Sequence, residues 1–323
     1  MTINKVLFFT LSNFGDVILS LPVLDVLRSE YPKALITVMV GPRASEVFQD
    51  NPYINELIIY DKYVSLKEKI RLFFRLKKER FDLVIDLRNS LYGALLPARF
   101  KTSPFLHPPA NIRHMKQRNL YRLRAALKQN GLWATVKERV LYTSPEDKKY
   151  LNALLQDNGI NPKDRIIIVS PATGGRTRRW ARENFIELCK KLAADYPVVL
   201  VGRKQDKPLS AYIQSKVSGR VFDFSGLTSL AQLVFLLEKS SLVVVCDTGI
   251  LQLASYLDIP IVALFGPSDE HRYGPWSGRF KLVSAKTACR PCTEPDCRFK
   301  TNECMHKISV EQVLDSIDEL MKL

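Results

Sequence analysis

Short apolar runs rich in β-branched residues alternate with segments of helical periodicity along almost the whole chain. This alternation is typical of βα units, in which a buried parallel sheet is covered by helices. Strands are predicted in two series, at residues 5–10, 35–40, 56–60 and 83–86, and then at 165–170, 198–201, 242–245 and 259–264. Helices are predicted between them, over residues 17–30, 66–80, 182–195, 208–218 and 230–239.

Two consecutive series predict an α/β protein with two doubly wound, Rossmann-like domains that face each other across a cleft. A chain of 323 residues has room for two such cores. The boundary is expected in residues 157–165, which contain Asn-Gly and Asn-Pro breakers. The predicted domains are therefore 1–158 and 159–323, and the final helical pattern at 310–323 is a candidate to pack back on the first domain.

The charge balance is strongly basic, with 48 Lys and Arg against 33 Asp and Glu, a net charge of +15. Such a surface attracts nucleic acid, phosphorylated metabolites or an acidic membrane face. Residues 99–139 hold ten Lys and Arg and a single acid, Glu138, with Tyr121 and Trp133 interspersed; they form either a solvated helix face or a surface for an anionic acceptor or lipid head groups. Because no apolar run approaches the ~18 residues of a membrane span and no targeting segment is convincing, we expect a cytoplasmic protein with peripheral membrane contact.

The first predicted strand ends in a short polar loop that leads through Gly15 into a helix beginning at Asp16. In open α/β sheets, ligands bind beyond the carboxyl ends of the strands, where this loop is expected. A carboxylate in a first helical turn is kept ionised by the helix dipole and backbone N–H groups, and it suits a general base. Plain helix capping is the alternative role for Asp16.

The strand at 165–170 is followed by a second polar loop with the sequence TGGRTRRW, residues 173–180. Glycines let backbone amides approach a ligand, hydroxyls donate to phosphate oxygens, and guanidinium groups bind phosphate through two N–H groups. The loop lacks the G-K-[ST] ending of a Walker loop and the G-x-G-x-x-G fingerprint. The loop therefore indicates a phosphate-binding site but does not identify a known class of nucleotide-binding loop.

A third loop, Asp247-Thr248-Gly249, lies between two apolar strands, LVVV and IPIVALF. The tripeptide is that of an aspartic protease, but such a protease needs two copies on β-rich lobes, and here one copy stands in a βα context. The protease class is excluded on architecture. A helix from about Ile250 would point its free N–H groups at a ligand, which predicts a diphosphate site.

Together the three stretches resemble glycosyltransferase family 9, the heptosyltransferases that add heptose to the lipopolysaccharide inner core. Residues 15–40 are similar to the family pattern G-D-x-x-x-x-x-P…L…P-x-A-x-I, and residues 178–188 to K-R-W-P-x-E-x-F-x-x-L. Residues 247–268 are similar to D-[ST]-G-x-x-H-x-A-x-x-x-x-x-P-x-[VI]-x-[LI]-F-G-x-[ST]. The motifs occur in the family's order, and the resemblance covers nearly the whole chain.

The resemblance implies a GT-B fold, an inverting mechanism, an ADP-heptose donor and no cofactor required for the chemistry. It assigns the acceptor to the first domain and the nucleotide sugar to the second. Asp16 takes the position of the catalytic base, and Asp206 falls near the nucleotide's ribose. The donor site is implied at Thr173, Gly174, Arg178, Asp206, Asp247, Thr248, Gly249 and Gln252.

Two positions depart from the family pattern. Arg178 replaces a lysine, which keeps the charge and allows two-point contact with phosphate. Gln252 replaces a histidine, and an amide can hydrogen-bond but cannot carry charge. The second departure leaves another nucleotide sugar open as the donor.

Four cysteines crowd a short loop rich in proline and charge near the end of the chain, at Cys289, Cys292, Cys297 and Cys304. In a cytosolic protein such a cluster indicates a structural metal site more readily than disulfides. Zinc held by four thiolates is the first candidate and iron the second, with two local disulfides or free thiols as alternatives. Family members carry a similar C-x-P-C…C…C-M pattern. Cys189 and Cys246 are predicted to be reduced core residues.

The sequence thus predicts an inverting glycosyltransferase that moves a sugar, first of all heptose from ADP-heptose, to a lipopolysaccharide core acceptor. Its expected partners are an ADP-sugar, a phosphorylated lipid-linked saccharide and the anionic inner face of the inner membrane; nucleic acid is not expected. One alternative is a transferase of the same fold with another nucleotide sugar. Another is a basic zinc-containing nucleic-acid-binding protein, which leaves the three strand-end motifs unexplained. The lack of a Rossmann dinucleotide fingerprint argues against an epimerase.

Overall fold

The computed structural model describes residues 2–128 and 139–322. The chain divides into two compact units, Met1–Tyr142 and Thr143–Leu323, each built around one parallel sheet. None of the helices in the described ranges is long and apolar enough to cross a membrane. The predicted fold class, α/β with two doubly wound units, is confirmed.

The first unit has a five-stranded sheet in the order β3-β2-β1-β4-β5. All its pairs are parallel. The strands are β1 Lys5–Phe9, β2 Leu35–Val40, β3 Glu56–Ile59, β4 Leu83–Asp86 and β5 Phe100–Lys101. The helices are α1 Phe14–Ile18, α2 Leu21–Glu30, α3 Leu66–Lys78, α4 Leu91–Leu95 and α5 Met115–Leu127, with a 3₁₀ helix over Pro42–Phe48. The strand order reverses between β1 and β4, so a ligand is expected at their carboxyl ends.

The second unit has a six-stranded parallel sheet in the order β11-β10-β9-β6-β7-β8. Its strands are β6 Ile166–Ser170, β7 Val198–Leu200, β8 Val221–Asp223, β9 Ser240–Cys246, β10 Ile261–Phe265 and β11 Phe280–Ser284. The helices are α6 Pro145–Asp157, α7 Arg182–Leu192, α8 Lys207–Ser215, α9 Leu230–Lys239, α10 Gly249–Tyr256, α11 Glu270–Tyr273, α12 Glu303–His306 and α13 Val310–Met321. Here the order reverses between β6 and β9, which places the second expected ligand position.

The helix predicted over residues 17–30 is two helices. The second of them, α2, has Pro22 in its first turn. Proline lacks a backbone N–H and clashes with the preceding turn, so it can begin a helix but cannot continue one. The consequence is a short α1 that carries Asp16 separately from α2.

The expected linker at 157–165 does not separate the two units; it joins α6 to β6 inside the second unit. Gly159 follows α6 with φ +67°, the left-handed conformation that ends helices. The Asn-Gly signal therefore marks a helix end. α6 packs on α9, and the Tyr150 hydroxyl donates to the Leu227 carbonyl at 2.9 Å.

The last helix, α13, packs in the second unit and not on the first as the sequence suggested. Its apolar face joins the core beneath the second sheet through Val313, Ile317 and Leu320. Trp180 and Phe185 lie in the same core, and the Trp180 indole donates to the Ile308 carbonyl at 2.9 Å. Trp180 of the second motif thus helps to hold the C-terminal segment.

Candidate functional site

In the first unit, a buried pair of hydroxyls fixes the helix that carries Asp16. Ser20 donates its hydroxyl to the Val17 carbonyl at 2.6 Å, so the Thr10 hydroxyl, 2.6 Å away, donates to Ser20. Thr10 directly follows β1 and is fully buried. The end of β1 and the end of α1 are therefore joined, which holds α1 just beyond the carboxyl end of the strand.

Asp16 lies in the first turn of α1 and is half-buried. The side-chain amide of Asn13, the residue before α1, donates to Asp16 Oδ2 at 3.1 Å. This bond orients the carboxylate and leaves its other oxygen for a proton from a substrate. Asp16 therefore has the position and the chemistry that a general base requires.

Arg88, two residues beyond β4, lies on the other side of the same strand reversal. Its guanidinium carbon is 5.0 Å from the centre of the Phe9 ring and 5.5 Å from that of Tyr60. Its Nη1 is buried and has no hydrogen-bond partner among the described residues. Since an unpaired buried N–H of a cation is costly, this position indicates an anionic ligand.

In the second unit, the loop after β6 is fastened by its own residues. The Thr173 hydroxyl donates to the Gly175 carbonyl at 2.7 Å, so it shapes the loop and does not point its proton at a ligand. A side chain at Gly174 would meet nothing within 4 Å, whereas one at Gly175 would lie 3.3 Å from Arg178 Nε. Gly175 therefore makes room for the Arg178 guanidinium, and Gly174 faces open space.

Arg178 is held by the carboxylate of Asp247, which lies at the end of β9. Its Nη1 donates to Asp247 Oδ2 at 3.1 Å and to the Asp247 carbonyl at 3.4 Å. Ser268, beyond the end of β10, donates its hydroxyl to the same Oδ2 at 2.5 Å. The Arg178 side chain is about one-third exposed, and its Nε and Nη2 make no hydrogen bond to the described residues. Asp247 therefore positions a cation whose remaining N–H groups are available to a phosphate.

Thr248 precedes α10 but does not cap it. Its side chain makes no hydrogen bond to the first helical turn. Its Oγ1 is buried and has no partner within the described part of the chain. A helix N-terminus without a side-chain cap, beside an unpaired hydroxyl and an arginine, is suited to an anionic oxygen. Gly249, the first residue of α10, allows close approach to that turn.

Gln252 is turned into the protein, with 3% of its surface exposed. Its Nε2 donates to the Tyr273 carbonyl at 2.6 Å, and its Oε1 accepts from the Trp276 indole at 3.0 Å. Both ends of the amide are therefore used inside the protein. Gln252 fastens the segment after β10 to α10, a positioning role that the sequence did not suggest.

Asp206 ends a short 3₁₀ helix and precedes α8. Its Oδ2 accepts from the backbone N–H of Arg203 at 2.9 Å and from Arg203 Nε at 3.3 Å. One carboxylate oxygen is thus used in closing the turn after β7.

The four cysteines of the C-terminal segment do not form a tetrahedral metal site. Among residues 2–128 and 139–322, no three Cys, His, Asp or Glu side chains are arranged to hold a metal ion, and the four thiols are unpaired. Backbone N–H groups of residues 299–302 lower the pKa of Cys297. Burial, and then the neighbouring Cys289 and Cys297 thiols, raise the pKa of Cys304. The predicted zinc or iron site is therefore not supported by this arrangement, and no chemical step depends on it.

The cysteine segment is attached to the loop after β10. The backbone N–H of Cys292 donates to the Pro267 carbonyl at 2.7 Å. Met305 lies against Gly266, where an added Cβ would be 2.3 Å from the Met305 sulfur. The segment thus supports the loop that carries Ser268. Cys189 and Cys246 are core residues, as predicted, and burial raises the pKa of each to about 12.

The basic segment 99–139 is partly turned inward. Residues 129–138 of this segment, which include Trp133, lie outside the described residues. On α5, Arg118 donates to the Ile112 carbonyl and Arg122 to the Leu87 carbonyl, each at 3.2 Å. Burial lowers the pKa of Arg122. These arginines are therefore not a simple solvated helix face.

A surface hollow of about 470 Å³ lies in the first unit, lined by residues 48–52, Ile54 and Leu57. It precedes β3 and so lies away from the carboxyl ends of the strands. It contains none of the predicted site residues. The strand-end positions remain the candidate site.

Residues 69–302 match the model of glycosyltransferase family 9, described as the heptosyltransferase family. The chain belongs to glycosyltransferase family 9. This transferase is 25% identical over 348 residues to lipopolysaccharide heptosyltransferase 2 of Salmonella typhimurium, with 98% of each chain covered. Family membership supports the predicted transferase class.

Solved structures share the fold of this transferase. A family 9 glycosyltransferase from Veillonella parvula superposes with a TM-score of 0.82 at 21% identity, covering 100% of this chain and 99% of that one. The E. coli ADP-heptose LPS heptosyltransferase II superposes with a TM-score of 0.74 at 22% identity, covering 98% of both. Together they establish that the two units form the GT-B fold that the resemblance implied.

Two residues of the transferase's candidate site were missed by the sequence reasoning. Arg88 follows β4 by two residues, and Ser268 follows β10 by three. The strand-end rule that selected Asp16 and Asp247 would have selected them too.

Proposed function

We propose that the enzyme transfers heptose from ADP-heptose to a saccharide of the lipopolysaccharide core, with inversion at the anomeric carbon. The names of its relatives support the substrates: the Salmonella typhimurium relative is a lipopolysaccharide heptosyltransferase, and the E. coli structure is titled as an ADP-heptose LPS heptosyltransferase. The second unit binds the nucleotide sugar and the first binds the acceptor.

The unpaired Thr248 hydroxyl at the start of α10 is the observation that carries the donor assignment. A diphosphate there accepts from Thr248 and from the N–H groups of the first helical turn. It also accepts from the Arg178 Nε and Nη2 groups that Asp247 and Ser268 hold in place. These donors stabilise the charge that grows on the diphosphate as it leaves, which is the main electrostatic contribution to the rate.

The acceptor step uses Asp16. The acceptor hydroxyl oxygen attacks the anomeric carbon and forms the new glycosidic bond, while the bond from that carbon to the diphosphate oxygen breaks. The hydroxyl proton passes to Asp16, and ADP leaves with the bonding electrons. Arg88 binds an anionic group of the acceptor, a phosphate or carboxylate, through its unpaired Nη1. The acceptor is a phosphorylated, lipid-linked saccharide, and the enzyme works peripherally at the inner face of the inner membrane.

A donor panel tests the proposal. ADP-heptose, other ADP-sugars, UDP-sugars and GDP-sugars are offered with a lipopolysaccharide core acceptor, and nucleotide release and product mass are measured. We expect acceptor-dependent release with ADP-heptose, a product of inverted anomeric configuration by NMR, and loss of transfer by at least about a hundredfold in Asp16→Asn. Asp195→Asn, at an exposed aspartate beyond the end of α7, serves as the matched control variant.

Two outcomes would contradict the proposal. Transfer from a UDP- or GDP-sugar in preference to any ADP-sugar would reject the donor and favour a transferase of the same fold with another substrate. Asp16→Asn with near-normal transfer would remove the proposed base.

A further inference from the structure

Three apolar side chains of helix α3 form an exposed stripe. Leu66, Ile70 and Phe74 are 71%, 48% and 55% exposed. They are four residues apart and therefore lie on one side of the helix. The buried side is a different one, carried by Leu72, Phe73 and Leu76 against the first sheet.

A basic stripe runs beside the apolar one. α3 contains six Lys or Arg residues and one acid, Glu68. Lys67 and Arg71 each follow a residue of the apolar stripe by one position, and Lys78 lies seven residues after Arg71 on the same side, so they form a parallel row next to the stripe. Arg75 lies in the same row but is paired with Glu56 of β3. The Glu68 carboxylate accepts from Ser65 in the capping box that starts the helix, and the charge of Arg71 also contributes to lowering its pKa. One acid thus stands against six cations on α3.

The apolar surface extends to the neighbouring helix α4. The Tyr92 ring of α4 lies 6.5 Å from that of Phe73, and its hydroxyl donates to the Lys69 carbonyl at 3.1 Å. Leu91 and Leu95, the first and last residues of α4, are 75% and 62% exposed. Five large apolar side chains are thus exposed on two touching helices.

We infer that α3 and the ends of α4 form a docking surface for an anionic lipid bilayer. A helix with an apolar stripe beside a row of Lys and Arg matches a bilayer interface, where side chains enter the acyl boundary and cations meet anionic head groups. Charge complementarity selects this occupant over a second copy of the chain, since two such basic helices would repel each other. The segment that the sequence singled out, 99–139, turns Arg118 and Arg122 inward, whereas α3 turns its cations outward.

This surface serves the proposed function, because a lipid-linked acceptor is presented at a membrane, but its test does not require catalysis. The full-length protein is mixed with vesicles of phosphatidylethanolamine and phosphatidylglycerol, or of phosphatidylcholine alone, and the bound fraction is measured by flotation. We expect binding to the anionic vesicles, weakening with salt, and little binding to phosphatidylcholine.

Two triple variants separate the stripes. Leu66→Gln/Ile70→Gln/Phe74→Gln and Lys67→Gln/Arg71→Gln/Lys78→Gln should each weaken anionic-vesicle binding by at least about tenfold, and the second should also lose the salt dependence. The matched controls are Leu35→Gln/Leu227→Gln/Phe280→Gln for exposed apolar residues and Lys149→Gln/Lys190→Gln/Lys286→Gln for exposed lysines. Circular dichroism checks that all four variants keep their helix content.

The inference is overturned if the wild-type protein does not bind anionic vesicles, or if the α3 variants bind as tightly as their controls. It is also overturned if light scattering shows an oligomer that the apolar triple variant dissociates while vesicle binding stays unchanged, since a second copy would then cover the stripe. Transfer to a soluble, truncated acceptor should be unchanged in both α3 variants. Loss of transfer to that acceptor would show that a variant damages the catalytic site, whereas loss of vesicle binding alone shows that docking fails.

Discussion

Unpaired polar atoms are the clearest residue-level feature of this enzyme, and they differ in kind. In Arg28 and Arg290 the unpaired buried atom is Nε, while the rest of each guanidinium is bonded to carbonyls or to Glu270. In Thr248 the unpaired atom is Oγ1, the only polar atom of the side chain. In Arg88 it is Nη1, a nitrogen that carries two N–H groups. Both lie at strand reversals, where a ligand can supply the missing partner.

Replacing Thr248 by valine tests whether a ligand completes that hydroxyl. Valine keeps the shape and removes the oxygen, so kcat/KM for the nucleotide sugar should fall by about ten- to a hundredfold, the effect of one hydrogen bond to a charged group. The melting temperature should stay unchanged or rise, because an unsatisfied buried hydroxyl disappears. The serine variant keeps the hydroxyl and is the control. A valine variant with wild-type kcat/KM would show that Thr248 does not contact the donor.

The sequence located the site loops but not the role of each atom. Thr173 was expected to donate to phosphate, yet its proton goes to the Gly175 carbonyl within its own loop. Asp247 was expected to line the nucleotide site, and the structure shows its carboxylate accepting a hydrogen bond from Arg178. Such roles depend on which partner arrives from a distant strand, and the local sequence does not encode that choice.

At the scale of the elements, α10 is joined to the segment after β10 by hydrogen bonds of two of its side chains, Gln252 and Ser255. Ser255 accepts from the Trp276 backbone N–H at 3.3 Å, and Gln252 bonds to Tyr273 and Trp276. A neutral imidazole also offers one donor and one acceptor, so a histidine could make the same two bonds. This explains how glutamine can stand where the family pattern has histidine without any change of nucleotide.

Exchanging Gln252 for glutamate and for histidine tests this interpretation. Glutamate has no proton for the Tyr273 carbonyl and places a charge at a position that is 3% exposed. We expect it to lower the free energy of unfolding by about 2–4 kcal/mol, and histidine by less than about 1 kcal/mol. Urea denaturation followed by circular dichroism measures both. Equal losses in the two variants would contradict the hydrogen-bond account.

Elements with long periodic patterns were predictable, and the short edge strands other than β3 were not. The central strands β1, β2, β6, β9 and β10 are continuous apolar runs and were found, whereas the edge strands β5, β8 and β11 have two to five residues with weak patterns. The break between α1 and α2 was encoded by Pro22 and could have been predicted. The roles of Gln252 could not, because its partners lie 21 and 24 residues away.

At the scale of the whole molecule, the chain consists of two units with separate sheets and separate cores. The boundary between the units lies directly before α6, which belongs to the second unit. Its Leu151 and Leu155 are 0% and 6% exposed, and it packs on α9 of the second unit. A breaker-rich segment after a helix therefore resembled a linker although the helix belongs to the domain that follows.

Two fragments test this division. The fragment 143–323 should unfold cooperatively, whereas 159–323, which lacks α6, should be less stable by about 3–6 kcal/mol because two buried leucines lose their packing. Urea unfolding of both fragments measures the difference, and binding of ADP by the longer one would place the nucleotide site in that unit. Equal stability would favour the boundary near residue 158.

The attachment of the cysteine segment to the loop after β10 has a thermodynamic consequence. Pro267 bonds to Cys292, Gly266 packs on Met305, and Ser268 next to them holds Asp247. If these contacts tighten when nucleotide binds, then chemical modification of the thiols and nucleotide affinity are linked functions. Reciprocity then requires that the factor by which bound nucleotide changes the equilibrium constant of a reversible thiol modification equals the factor by which that modification changes nucleotide affinity. The cysteines, remote from the transferred sugar, would thus report on the occupancy of the donor site.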